Sequence, residues 1–202
     1  MYIRQAVIIL VVAVLAAPAV FAAAEYDSLP ATSCDSVLVD STWYMLPTQW
    51  CGWKLDSADV VDGITLVRLP DSLTYEEYRI YVTRETREAF VKMAAAAAKD
   101  SVKLITDSGF RSPGFQMRII KRRLKEGQKP TRVLREVAPP GYSQHHTGRA
   151  LDLVPSEARF AHTKIYEWLQ QHAAEFGFEQ SYPDDSDSPF PWESWHWMYV
   201  AK

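Results

Sequence analysis

Two short polar motifs near the C-terminal end constrain the fold of this 202-residue chain more than any other feature. The first holds His145, His146 and Asp152, and the second holds Glu193 and His196. Histidine and carboxylate side chains are the residue types of a hydrolytic zinc site, in which two imidazoles and one carboxylate bind the metal. The remaining glutamate can take a proton from the attacking water. The fold must therefore bring two separate segments to one point.

The spacing within the first motif is compatible with one binding point. His145 follows a Pro-Pro-Gly loop at residues 139–141, and Asp152 lies in an apolar, β-rich run at residues 150–154. Gly148 lets the backbone turn between them, because glycine has no Cβ to restrict it. His145 and His146 are adjacent and point in opposite directions, so only one of them can face the metal. The residue types alone leave either histidine possible.

The second motif requires a bend in the backbone. Glu193 and His196 are three residues apart, and on a flat strand an odd separation sends side chains to opposite faces. We therefore expect the chain to bend after Pro191, with Glu193 on the loop that precedes the strand. His162 and His172 lie on a predicted helix away from both motifs, and we interpret them as structural or solvent-exposed residues.

The N-terminal segment is typical of a secretory signal. Arg4 is the only charged residue within residues 1–24, and the apolar run that follows ends in small residues that fit a small-x-small cleavage site. An uncleaved membrane anchor is the alternative, since about 20 apolar residues can span a bilayer. We expect cleavage, and no stable membrane insertion after it, because Pro18 and the alanines stand where a peptidase would cut. The predicted location is the periplasm or cell envelope.

The charge balance excludes a dedicated nucleic-acid binder. The chain has 22 basic and 25 acidic residues and a net charge of -3. Cleavage after residue 24 removes Arg4 and no acidic residue, which leaves 21 basic residues, 25 acidic residues and a net charge of -4. A protein that binds nucleic acid through phosphates carries an excess of basic residues instead.

Export leads to an oxidising compartment in which Cys34 and Cys51 can form a disulfide. In the chain-entropy model, a loop of this length stabilises the fold by about 3 kcal/mol. The alternative is two reactive thiols, but no histidine or lysine is directly adjacent to either cysteine in the sequence to activate it. We interpret residues 25–70 as an N-terminal extension held by this disulfide, with short β-like runs at residues 37–39 and 64–67.

The rest of the chain alternates helical and β-rich segments. The Thr74/Glu77 capping box predicts a helix from residue 74 to about residue 100, followed by a strand at residues 102–105. Ser112 and Pro113 mark the start of a second helix. Further predicted elements are a strand at 150–154, a helix at 157–175 and a strand at 195–200. The order lacks a βαβ rhythm, so we predict an α+β fold with a small antiparallel sheet, packed helices and the metal site at the sheet face.

The second predicted helix has an apolar and a basic face. Its inward residues are expected to be Phe115, Ile119 and Leu124. Its outward face holds four basic residues: Lys121, Arg122, Arg123 and Lys125. These could contact an anionic polymer, but we interpret them as a solvated helix face.

The motifs resemble those of a known family. Ser-x-His-x-x-Gly-x-Ala-x-Asp followed by Glu-x-Trp-His is similar to the signature of D-alanyl-D-alanine carboxypeptidases of the vancomycin-resistance type, within the zinc peptidase group that includes lysostaphin and the hedgehog signalling domain. The upstream Ser-Gly-Phe-Arg-Ser at residues 108–112 resembles the family's Ser-Gly-Tyr-Arg-Ser element. The resemblance covers residues 75–200, which suggests a peptidase domain at residues 71–202.

The resemblance implies a role for each matching residue. His145, Asp152 and His196 would bind zinc, and Glu193 would be the general base. Arg111 would bind the substrate carboxylate or stabilise the oxyanion, a role that suits a guanidinium because it can donate two parallel hydrogen bonds. The remaining two, Gln116 and Ser143, would support substrate binding.

The implied activity is removal of the C-terminal D-alanine from peptidoglycan stem peptides. The sequence departs from the family at Phe110, where a tyrosine is usual, and at Ser194, where a proline is frequent. An L,D-carboxypeptidase or an endopeptidase of the same fold is the alternative activity. A non-catalytic module that binds the cell wall is the alternative of another class.

Overall fold

The structure is a computed structural model, which describes residues 35–185 and 187–201. The described residues form eight β-strands and four α-helices joined by 3₁₀ turns and loops. The strands are β1 (Ser36–Val39), β2 (Thr42–Met45), β3 (Val67–Arg68), β4 (Tyr81–Val82), β5 (Thr106–Ser108), β6 (Ala150–Leu153), β7 (Phe178–Gln180) and β8 (His196–Tyr199). The helices are α1 (Arg84–Lys99), α2 (Pro113–Lys125), α3 (Pro130–Glu136) and α4 (Lys164–His172). Among the described residues, no helix has both the length and the apolar character needed to cross a membrane.

A four-stranded antiparallel sheet joins the two motifs. Its strand order is β5-β6-β8-β7, so the strand of the first motif pairs directly with the strand of the second. In this register Asp152 on β6 lies opposite His196 on β8. Side chains directly opposite each other on neighbouring strands are about 5 Å apart at Cβ. The predicted α+β class and the small antiparallel sheet are confirmed.

The main core packs α1 and α4 against this sheet. Phe90 and Met93 of α1 are fully buried, as are Leu151 and Leu153 of β6 and Phe178 of β7. All five belong to one cluster of contacting apolar side chains. The helices therefore cover one face of the sheet, and Asp152, which lies between Leu151 and Leu153 on β6, points to the opposite face.

The segment before residue 70 packs on the rest of the chain through a second core. Trp50 is buried, its indole N–H donates to the carbonyl of Leu134 at 2.7 Å, and its ring contacts Tyr142. Tyr142 also donates through its hydroxyl to Asp35 at 2.8 Å. The predicted signal segment and Cys34 lie outside the described residues, so the signal, the Cys34–Cys51 disulfide and the division at residue 70 stay predictions.

Helix α1 begins nine residues later than the sequence pattern indicates. Thr83 is its N-cap, and the Thr83 side chain accepts from the backbone N–H of Thr86 at 3.2 Å. The predicted capping box is wrong, because Thr74 forms a β-bridge with Thr106 instead. Strand β4 lies between Thr74 and the start of α1. Its residue Val82 is fully buried, and this apolar position is one of those whose spacing suggested a helix.

Several other predicted elements are shifted or divided. The strand predicted at 102–105 forms at Thr106–Ser108, and the helix predicted at 157–175 is divided into the 3₁₀ turn Ala158–His162, α4 and the 3₁₀ turn Ala173–Phe176. Ser112 caps α2 as predicted, accepting from the N–H of Phe115. The Phe115 side chain, however, is 44% exposed, because Gln116 and Ile120 take the buried positions of α2.

Candidate metal centre and substrate cleft

Three predicted ligands meet at one end of the sheet. The candidate ligand atoms of His145, Asp152 and His196 lie within 4.8 Å of one another, and all three residues are buried. Asp152 Oδ1 is 2.8 Å from His196 Nδ1, and Asp152 Oδ2 is 3.2 Å from His145 Nε2. His145 lies in a 3₁₀ turn that ends at Gly148, whose φ of 64° is in the left-handed region. The turn predicted at Gly148 is thus confirmed.

Hydrogen bonds on the outer side of each ring fix which nitrogens face the cluster. His145 Nδ1 lies 2.6 Å from the carbonyl oxygen of Gly109, which can only accept, so Nδ1 carries the proton. His196 Nε2 lies 3.0 Å from Gln144 Oε1, while its Nδ1 faces Asp152. The inner atoms of the cluster are therefore two imidazole nitrogens and a carboxylate. This donor set fits zinc, and ligating histidines are typically held by such outer hydrogen bonds.

The charges of the cluster agree with this assignment. Burial lowers the pKa of His145 to about 4, and the neighbouring Arg111 acts in the same direction, so the imidazole is neutral at pH 7. Burial opposes ionisation of Asp152, but His145 and Arg111 together hold the pKa of this carboxyl well below its usual range. Neutral imidazole and ionised carboxylate are the forms that bind a metal.

The structure distinguishes between the two adjacent histidines. His145 enters the cluster, whereas His146 Nδ1 donates to the backbone carbonyl of Arg111 at 2.6 Å on the other side of the turn. His162 is exposed, and His172 Nδ1 lies 2.9 Å from Glu175 on the surface of α4. Both lie outside the cluster, as predicted.

Arg111 reaches the edge of the cluster. Its Nε donates to Ser108 Oγ at 2.9 Å, and its Nη2 contacts Asp152 Oδ2 and lies 2.8 Å from His145 Nε2. Its backbone N–H donates to the carbonyl of His145 at 3.2 Å. Main-chain and side-chain bonds thus hold the guanidinium beside the site from two directions.

Glu193 occupies the loop position that the spacing predicts. Ser194 and Trp195 form a turn, in which the His196 N–H donates to the Glu193 carbonyl at 3.2 Å. The predicted bend before the strand is confirmed. Burial raises the pKa of Glu193 to about 6. A carboxyl with a pKa near the working pH is suited to both taking and returning a proton.

The candidate residues line one cleft of about 690 Å³. Gln116 donates through Nε2 to the carbonyl of Ala138 at 2.9 Å, while its buried Oε1 has no hydrogen-bond partner among the described residues. Ser143 lines the same cleft and is buried. The site residues from both motifs and from the segment 108–116 are therefore brought together in one place.

Three contributors to the site were missed by reasoning from sequence. Ser108 positions Arg111, Gln144 holds His196, and the ring of Tyr182 lies 4.9 Å from the His196 ring between centroids. Gln144 could have been found, because a ligating imidazole needs an acceptor for its second nitrogen and Gln144 lies inside the first motif. Tyr182 gave no signal, because it lies in a loop without any recognisable spacing to the motifs.

At Gly109, next to the site, the chain packs too closely against Ile80 and Tyr81 to leave room for a side chain. A Cβ at this position would lie 2.8 Å from the Tyr81 carbonyl oxygen and 2.7 Å from Ile80 Cγ2. We expect Gly109→Ala to lower the free energy of unfolding by about 1–3 kcal/mol, the usual cost of overpacking. Because the Gly109 carbonyl holds His145, zinc affinity should also fall by about 10–100-fold.

Calorimetric zinc titration and urea unfolding would measure both effects. Gly114→Ala is the matched control, since a Cβ there meets nothing within 4 Å and alanine favours the helix. Equal behaviour of the two variants would contradict the proposed contact.

Comparison with known proteins identifies the family. The profile of the VanY family, described as D-alanyl-D-alanine carboxypeptidase, matches residues 79–202. The chain belongs to the VanY family. This match covers more than half of the chain and contains all the candidate site residues.

Individual relatives agree with the VanY assignment. YodJ of Bacillus subtilis is 30% identical over 146 residues, which cover 66% of this chain and 53% of YodJ. A D-alanyl-D-alanine carboxypeptidase of Enterococcus faecalis is 30% identical over 116 residues, covering 52% of this chain and 43% of that enzyme. The chain thus spans about half the length of the curated relatives it matches.

A solved structure of the LD-carboxypeptidase LdcB matches with a TM-score of 0.62 and 30% identity, covering 71% of this chain and 72% of LdcB. VanYB in complex with D-alanine-D-alanine matches with a TM-score of 0.56 and 25% identity, covering 69% of this chain and 79% of VanYB. Peptidases of this group therefore share the fold described above.

Proposed function

We propose that this protein is a zinc-dependent carboxypeptidase that removes the C-terminal D-alanine from peptidoglycan stem peptides. The observation that carries the proposal is the buried cluster of His145, Asp152 and His196, in a cleft that also holds Glu193 and Arg111. Membership of the VanY family supports the same substrate class. VanYB, which shares the fold, has a structure with D-alanine-D-alanine bound.

Each residue has a chemical task in this proposal. Zinc held by His145, Asp152 and His196 would polarise the scissile carbonyl and lower the pKa of the attacking water to about 7. Glu193 takes a proton from that water and passes it to the leaving amine, which its raised pKa permits. Arg111 binds the terminal carboxylate or the developing oxyanion through its guanidinium.

Two further residues orient the peptide. The Gln116 Oε1 atom is buried in the cleft wall without a partner, so an N–H of the substrate backbone can satisfy it. Ser143 offers a hydroxyl at the same wall. The Gln116 side chain is held in position, because its Nε2 donates to the backbone carbonyl of Ala138 at 2.9 Å.

The direct test is a digest of a pentapeptide stem ending in D-Ala-D-Ala with the purified protein, read by mass spectrometry. We expect loss of one terminal D-alanine with zinc and no loss when a chelator is present. An intact pentapeptide in the zinc-loaded reaction would overturn the D,D-carboxypeptidase assignment.

An L,D-carboxypeptidase is the second candidate, and the similarity to LdcB favours it. LdcB matches with a higher TM-score than VanYB and at higher sequence identity. A tetrapeptide stem with a single terminal D-alanine separates the two activities in the same assay. A cross-linked dimer tests for endopeptidase cleavage, and binding to cell walls without any product would support a non-catalytic module.

We also propose that the protein acts outside the cytoplasm, in the periplasm or cell envelope. Peptidoglycan is found there, and the predicted signal at residues 1–24 would deliver the chain to it. N-terminal sequencing and thiol titration of the exported protein test the cleavage and the Cys34–Cys51 disulfide. An intact Met1 or free thiols would contradict these two proposals.

A further inference from the structure

The substrate cleft extends from the metal cluster to a basic end. The lining at this end comes from the last turns of α2 and α3, and its basic residues are Arg122, Arg123 and Arg135. The sequence pattern predicts that two of these arginines, Arg122 and Arg123, lie on a solvated helix face. In the structure, however, they line the same cleft as the candidate catalytic residues, where they can contact a substrate.

The arginines at this end exceed the acids that could neutralise them. Glu136 accepts from Arg123 Nη1 and from Arg132 Nε, each at 2.8 Å. Both oxygens of its carboxylate are therefore engaged. Although burial opposes its charge, these two arginines hold the pKa of Glu136 below its usual value. Glu136 is an ionised carboxylate without a free oxygen for another guanidinium.

Two guanidiniums remain without a close carboxylate. Arg122 Nε lies 3.9 Å from Glu126, beyond hydrogen-bond distance, and this pair is exposed. Exposed pairs of this kind contribute little. Arg135 forms no ion pair with any other residue in the described part of the chain. The basic end is thus able to bind an anion.

The segment before residue 70 supports this end of the cleft. Gln49 Nε2 donates to the Arg135 carbonyl at 2.8 Å, and Trp50 Nε1 donates to the Leu134 carbonyl. Trp50 also lines the cleft, together with Ile119 of α2. The backbone of Arg135 is therefore held in place beside the cleft.

A purely structural role does not explain the arrangement. A basic residue in the last turn of a helix stabilises it through the helix dipole. The helix dipole accounts for a basic residue at the end of α2 and another at the end of α3. It does not account for both residues lining one cleft. Arg122 and Arg135 both line the cleft and are exposed, so their guanidiniums are accessible to a ligand with negative charge.

We infer that the basic end is a subsite for a carboxylate that the substrate carries away from the bond to be cleaved. The inference rests on the proposed function, since it places a peptide in the cleft. In a stem peptide this group is the free α-carboxylate of a γ-linked glutamate, whose charge is lost when it is amidated. A guanidinium binds a carboxylate in a bidentate manner and discriminates against the neutral amide.

The test compares two pentapeptides that differ only in whether this glutamate carboxylate is free or amidated. We expect the wild-type protein to prefer the free acid by about 10-fold or more in kcat/KM, the effect of one hydrogen bond to a charged group. The difference should lie in KM, because the contact is remote from the reaction and is equal in ground and transition states.

Variants at the basic end should remove this preference. In Arg135→Gln and in the double variant Arg122→Gln/Arg135→Gln, the ratio of kcat/KM values for the two peptides should fall towards one. Lys125→Gln is the matched control, because it removes a charge from α2 at a position outside the cleft lining and should keep the wild-type ratio. An equal ratio in all four proteins would overturn the subsite.

A shorter substrate separates this inference from the proposed function. A blocked tripeptide ending in D-Ala-D-Ala has no glutamate, and its cleavage by the wild-type protein reports on the catalytic centre alone. Cleavage of the tripeptide without any preference between the pentapeptides overturns only the subsite. Inhibition by a polyglycerol phosphate that Arg135→Gln abolishes, together with equal turnover of both pentapeptides, would assign the basic end to phosphate instead.

Discussion

Glu193→Gln should retain zinc and lose turnover by about 10²–10⁴-fold, the range that a general acid or base contributes. Glutamine keeps the size of the side chain but cannot accept a proton from water at neutral pH. The candidate ligand atoms belong to His145, Asp152 and His196, and Glu193 is not in that cluster. Metal content by plasma emission spectroscopy and kcat on the pentapeptide would measure the two properties separately.

Glu179→Gln is the matched control for this variant. Glu179 lies on β7 of the same sheet, but it is exposed and does not line the cleft. Turnover by this control should remain at the wild-type level. Undiminished activity of Glu193→Gln would show that another group takes the proton, and loss of zinc from it would show that Glu193 is a ligand.

The site could be predicted from the sequence further than the fold could. Ligand chemistry is local to a residue type, so Asp152, His196 and one of the adjacent histidines follow from the two motifs, and the family resemblance selects His145. The bend at Glu193 follows from the period of two in a strand, which makes a separation of three impossible on one face. These arguments depend on covalent geometry, and the structure confirms the bend and brings the three side chains together.

Helix boundaries were harder to predict because tertiary contacts overrode local preference. Thr74 and Glu77 have the residue types of a capping box, but Thr74 pairs with Thr106, and β4 pairs with β3 before α1 begins. Neither partner is visible in the local sequence. A buried residue on a short strand, such as Val82, has the same apolar character as one on a helix. The apolar spacing therefore placed the start of the predicted helix too early in the chain.

The orienting contacts of the site were not predictable either. Gly109 holds His145 through its carbonyl, and Ser108 holds Arg111 through its hydroxyl. Each contact joins groups whose positions depend on the pairing of β5 with β6 and on the turn at Gly148. Backbone carbonyls carry no sequence signature, so an orienting acceptor of this kind becomes visible only when the fold is known.

The choice between the adjacent histidines leads to the second large effect. His145→Ala should lower zinc affinity by well over the roughly 100-fold loss that marks the upper end for outer contacts of a metal site. His146→Ala should keep one zinc per chain, because His146 Nδ1 binds the Arg111 carbonyl and takes no part in the cluster. Equilibrium dialysis against a zinc buffer would measure both affinities.

His146 is fully buried, so its replacement by alanine should lower stability even though zinc is kept. His172→Ala, on the exposed surface of α4, controls for the loss of an imidazole and should change neither zinc affinity nor turnover. If His146→Ala lost the metal while its apo form stayed folded by circular dichroism, the metal would be held by the other histidine. That outcome would contradict the assigned tautomer of His145, in which Nδ1–H donates to the Gly109 carbonyl and Nε2 has a lone pair for the metal. Retention of zinc in His146→Ala and its loss in His145→Ala would show that His145 is the ligand. The hydrogen bond from His145 Nδ1 to the Gly109 carbonyl would then be one of the contacts that select it.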